Sequence, residues 1–102
     1  MIQPLKSVDL DLNNPVFQKN LFALTRDNQL NVLGTLRKLS PMTWEQVYAD
    51  QGLKWELIQS RNGPHGQRLY SFRAGISLRG LAWREGNWLR LLSLHPGHDS
   101  AY

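Results

Sequence analysis

The sequence predicts an α+β fold in which N-terminal helices pack on one face of a twisted, mainly antiparallel sheet. Three observations lead there. From Pro15 to Val47 the apolar residues recur at helical spacing behind capping residues; after Gly52 the period shortens towards alternation; and the alternating runs are parted by turn signals such as Glu85-Gly86-Asn87. With 102 residues, 41% of them hydrophobic and 20% charged, the chain suits one modest core rather than wholesale disorder, so a single domain over residues 1–102 is expected.

Taken in order, Ser7 to Leu12 alternates Val8, Leu10 and Leu12 with Asp9 and Asp11, the pattern of a short half-buried strand or of an extended arm. Asn13-Asn14-Pro15 supplies a cap followed by proline at the first helical position. Phe17, Leu21 and Leu24 then predict a helix from about Pro15 to Thr25. Thr25-Arg26-Asp27-Asn28 breaks that stripe and offers new caps before Val32, Leu36 and Leu39, so two helices in a hairpin are expected, with one continuous helix as the alternative. Ser40-Pro41 ends the second helix, and the capping-box pattern Thr43-x-x-Gln46 opens a third before Gly52. Strands are then predicted at Lys54–Gln59, Arg68–Ala74, Leu78–Arg84 and Trp88–Leu94, an antiparallel meander whose second face is left partly open.

Composition excludes several classes. Without cysteine there is neither a disulfide framework nor a thiolate zinc site, which fits a reducing compartment. No run approaches the roughly 20 apolar residues of a bilayer span, and Met1 to Leu12 lacks a secretory layout, so a soluble cytoplasmic protein without membrane contact is expected. Loop Asn62–Gly66 has no phosphate-loop spacing, and no G-x-S-x-G elbow occurs. The net charge of +4 lies entirely in the second half: residues 1–52 balance to zero, whereas residues 53–102 hold seven cations, six of them arginine, against Glu56, Glu85 and Asp99. Such asymmetry points to a solvated sheet face or to an anionic partner.

Arg73 and Arg79 flank a short turn on neighbouring strands and are candidates to hold one phosphoryl group together. Arg68 and Arg90 are further candidates for binding an anionic substrate. His95, His98, Asp99 and Tyr102 crowd the segment expected after the last strand, where imidazole and phenol suit proton transfer or stacking, where the histidines equally suit a cap on the sheet end, and where the sequence leaves open which histidine faces the arginines. His-x-x-His with one carboxylate lacks a structural-zinc spacing, so neither metal nor cofactor is expected. Most of Trp44, Trp55, Trp83 and Trp88 should be core, and one left exposed near the arginines would suit base stacking.

The order of these elements, with Tyr70-Ser71-Phe72-Arg73 on one strand, Leu78-Arg79-Gly80-Leu81 on the next and His98-Asp99-Ser100-Ala101-Tyr102 at the close, resembles the RelE/ParE-like toxins of bacterial type II toxin–antitoxin modules. The likeness covers about two thirds of the chain, and the third helix is an elaboration on it. It implies a small toxin bound by a cognate acidic antitoxin, whose ribonuclease branch cleaves messenger RNA in the ribosomal A site by attack of a ribose 2′-hydroxyl on the adjacent phosphate. On that likeness Arg73 and Arg79 would stabilise phosphate charge, and His98 and Tyr102 would transfer protons or stack. Lys54 and Glu56 would assist the base. The ParE branch shares the fold but acts on DNA gyrase, so fold leaves open the alternatives of a gyrase inhibitor and of a non-toxic basic interaction domain.

Overall fold

The computed structural model describes residues 6–97; His98, Asp99 and Tyr102, singled out above, lie outside them. Among the described residues the elements are β1 (Asp9–Asp11), α1 (Pro15–Ala23), α2 (Arg26–Leu39), α3 (Trp44–Ala49), β2 (Glu56–Asn62), β3 (Arg68–Gly75), β4 (Leu78–Glu85) and β5 (Trp88–Pro96). The strands form one sheet in the order β1-β5-β4-β3-β2. Neighbours from β2 to β5 are antiparallel, and only β1 runs parallel to its neighbour β5. The expected α+β architecture is therefore the observed one, and the N-terminal run is a sheet strand rather than a free arm.

Local chemistry explains the helix ends. Asn14 Oδ1 accepts from the N–H groups of Val16 and Phe17, with Pro15 at the first helical position. The first helix stops at Ala23, two residues short of the expected Thr25, because Thr25 turns extended to cap α2 and accepts from Asn28 N–H at 3.3 Å. That cap separates the two helices of the hairpin. Thr43 and Gln46 form the full reciprocal capping box at the start of α3. The N-terminal strand ends at Asp11, so Leu12 escapes the alternation and is 39% exposed.

One layer of helices covers one sheet face: α1 lies on β5 and α2 on β3. Phe17, Val32, Leu36, Leu39 and Val47 meet Phe72, Ala74, Leu78, Ala82, Leu89, Leu91 and Leu94 in the main core. Ile58, Leu69 and Leu81 form a separate small cluster, with Trp83 and Leu92 at its margin. On the main-core side a Cβ placed on Gly80 would clash with the edge of the Phe72 ring, which fixes the facing of β4: Gly80 towards the helices, Arg79 and Leu81 away from them.

Two of the register shifts in the sheet lie against the helices, and the first changes the face that β5 presents. In β5, Leu81 pairs with Ser93 but Ala82 pairs with Leu91, so Leu92 is an extra residue. Continued alternation from Leu89 and Leu91 would have put His95 under the helices; the extra residue brings Leu94 into the core and sends His95 to the other face. Asn20 of α1 accepts from Leu94 N–H at 3.0 Å beside this bulge. In β3 the register slips between Arg73 and Gly75, and Thr35 Oγ1 of α2 donates to Ala74 O at 3.1 Å. Each of these two irregularities has a helical side chain satisfying its backbone.

The last strand runs through His95 to Pro96, two residues beyond the expected end at Leu94. His95 accordingly belongs to the sheet and not to a turn following it, which corrects the sequence expectation. Membership in the ladder follows from Leu78 and Arg79 pairing with Pro96 and His95.

Candidate functional site

The site grows from the cross-strand register at one end of the open face. Arg73 on β3 is partnered by Arg79 on β4, and Arg79 is partnered in turn by His95 on β5. The next row inward is Ser71, Leu81 and Ser93, with Glu56 of β2 beside Ser71. Two arginines directly opposite each other repel, so this pairing costs stability unless an anion lies between them.

A cleft of about 180 Å³ opens at this end, lined by Lys54, Arg73, Arg79, the turn Gly75–Leu78 and Gly97. Lys54 reaches it from the residue run before β2, where its φ of 51° bends the chain into the strand. Leu53 O accepts from Arg73 N–H at 2.7 Å and ties that bend to β3. Among the described residues no carboxylate lies within ion-pairing distance of Lys54, Arg73 or Arg79. The three cations share one opening with no counter-charge from the described residues.

Ser93 Oγ lies 2.8 Å from His95 Nε2. Burial, and after it the positive charge of Arg61, holds the imidazole below its ordinary pKa. His95 is therefore largely neutral at pH 7, the form that accepts a proton.

The remaining candidates lie elsewhere. Arg68 is at the far end of β3 with the facing of Tyr70 and Phe72, and its charge acts on the Tyr70 phenol. Arg90 is held by Asp11 Oδ2 at 2.6 Å and by Glu85 Oε1 at 2.7 Å, cross-strand from Trp83. Arg84 stacks on Trp44, 4.4 Å from the ring centre. The structure thus brings together Lys54, Arg73 and Arg79, sets Glu56 in the row beside them, and leaves Arg68 and Arg90 apart. The sequence reading left open which histidine faces the arginines; the signal for His95 was present in the adjacent Leu91-Leu92, which breaks strict alternation. Among the described residues no group of three His, Asp or Glu side chains could hold a metal ion, and no helix is long and apolar enough to cross a membrane.

No protein-family model matches the chain, and no curated protein matches it by sequence. Two solved structures match by shape. One is an archaeal RelE–RelB complex from Pyrococcus horikoshii, with a TM-score of 0.64, 17% identity, and coverage of 94% of this chain and 100% of that one. The other is a copper-bound mutant toxin from Helicobacter pylori, with a TM-score of 0.52, 18% identity, and coverage of 93% and 99%. By this likeness the helical hairpin laid on one face of a mainly antiparallel five-stranded sheet has the RelE-like fold.

Proposed function

We propose that the chain is a single-domain toxin of a type II toxin–antitoxin pair, and that it acts in the cytoplasm as a ribosome-dependent messenger RNA endoribonuclease. The observation that carries this reading is the row Arg73, Arg79, His95 on adjacent strands of the open face. A ribose 2′-oxygen attacks the adjacent phosphorus while its proton passes to His95. The bond from phosphorus to the 5′-oxygen breaks, leaving a 2′,3′-cyclic phosphate and a 5′-hydroxyl. Arg73 and Arg79 spread the charge that builds on the equatorial oxygens, and Lys54 adds a third cation at the mouth. In the tautomer that donates Nε2–H to Ser93 Oγ, Nδ1 of His95 is the accepting lone pair. The leaving oxygen takes its proton from His98 or Tyr102, and Glu56 assists the base.

The partner in this reading is an acidic antitoxin. Phe22, Leu30 and Leu33 of the helical hairpin are exposed, Phe22 to 74%, and a groove of about 470 Å³ runs from Leu30 and Gly34 past Lys38 to Arg73 and Ile76. An acidic amphipathic segment would meet both the apolar side chains and the cations there. The archaeal RelE structure, itself a complex with RelB, supports such a partner.

Induced expression in a bacterial host, with transcript ends mapped after a few minutes, tests the reading. Cuts confined to translated regions are expected, and none in a strain expressing the Arg73→Ala variant. Growth arrest without cuts would point to DNA gyrase, and harmless expression to a basic binding domain. For the purified protein acting on messenger RNA held in ribosomes, His95→Gln should lower the single-turnover cleavage rate by about 10²–10⁴-fold. The native rate should stay level from pH 8 down through the ordinary imidazole pKa of 6.5 and fall only below it, because burial favours the neutral ring. The same shift means that His95 contributes stability above pH 6.5 that is lost as pH falls through the lowered folded-state value.

A further inference from the structure

The open face does not end at the arginine cleft. Along β4 the side chains on that face are Arg79, Leu81 and Trp83, and four residues at about 3.4 Å each place Trp83 about 14 Å from Arg79. Ile58, Leu69 and Leu81 make a buried apolar floor, against which Trp83 and Leu92 pack from the margin. Trp83 is the tryptophan positioned to receive a ring. Trp44 and Trp55 are buried in the main core, and the Arg90 guanidinium already lies 5.2 Å over Trp88. Beside Trp83 a cleft of about 380 Å³ is lined by His65, Gln67, Trp83, Arg84 and Glu85. The Trp83 indole N–H has no hydrogen-bond partner among the described residues.

Resting on the ribonuclease reading above, we infer that Trp83 and its cleft are a base-stacking subsite for single-stranded RNA, reached by the strand whose phosphate sits between Arg73 and Arg79. The charges fit the division of labour. Among the described residues Lys54, Arg73 and Arg79 have no counter-ion and suit phosphate, whereas Arg90 beside Trp83 is neutralised by Asp11 and Glu85, so this end suits an uncharged ring rather than backbone. A flat indole over an apolar floor accepts any base, which makes the subsite tolerant of sequence. It sets where along the message the strand lies, and the arginines set which phosphate is attacked.

The test is the affinity of the full chain for a short fluorescent 2′-O-methyl oligoribonucleotide, which lacks the attacking hydroxyl, measured across a salt series. Trp83→Ala and the volume-keeping Trp83→Leu should both weaken binding by about 5- to 150-fold. Trp83→Phe, which keeps a ring, should lose far less. None of the three should change the salt slope, since no phosphate contact is lost; Arg73→Ala should lower it by about 0.7. Native affinity in Trp83→Leu, with weakened binding in Arg73→Ala, would overturn the subsite and leave the ribonuclease reading standing. Absence of RNA binding by the native chain would overturn the subsite, whereas the ribosome-dependent ribonuclease reading stands or falls by the mapped transcript ends.

Discussion

Replacing Arg73 with alanine is expected to slow cleavage of ribosome-held messenger RNA by about 10²–10³-fold while leaving the protein folded, measured as single-turnover rate beside thermal melting. The side chain is exposed, has no ion pair among the described residues and lies opposite Arg79. Nothing in the core leans on its charge. Removing one of two facing guanidiniums also relieves cross-strand repulsion, so the melting temperature should hold or rise slightly. Arg79→Ala should behave alike, with a greater loss of packing because Arg79 is half-buried. An undiminished rate in Arg73→Ala would remove the proposed phosphate site. A rate lost together with the melting transition would instead make Arg73 a structural residue.

The opposite signature is expected at Phe72, one strand position away and facing the helices. Phe72→Ala should cost about 3–5 kcal/mol, a large share of the 5–15 kcal/mol that holds a domain together. For a domain near 100 residues that lowers the melting temperature by roughly 12–40 °C. The ring is 1% exposed, packs over Gly80 and stacks with Trp55 at 6.2 Å, so its loss leaves a cavity between sheet and helices. Gly80→Ala approaches the same contact from the other side. A methyl group there must displace a rigid buried ring, at a cost of about 1–3 kcal/mol. Cleavage per folded molecule should be retained in both variants at low temperature. A stable Gly80→Ala protein would contradict the facing assigned to β4, and with it the placement of Arg79.

The sequence alone determined the helices, because their signals are local. Asn14-Pro15, Thr25 and the Thr43–Gln46 box need no distant partner to satisfy the first backbone N–H groups, and each acts where the spacing placed it. The meander was equally legible, since turn chemistry at Glu85-Gly86-Asn87 and alternation along β3 carry their own register. Arg73 and Arg79 followed as neighbours from the shortness of the turn between them. Tertiary structure decided the rest. Parallel pairing of β1 with β5 joins segments nearly eighty residues apart, secured by contacts such as Asn87 Nδ2 donating to Ser7 O at 2.8 Å, and no local pattern specifies it. His95 joined the arginines only through the extra residue in β5, whose place is set by Leu91 and Leu94 both filling the core beneath α1 while Asn20 takes the Leu94 N–H. A single-residue bulge exchanges the two faces of a strand, so the candidate base depends on packing that the linear pattern records only as two adjacent leucines.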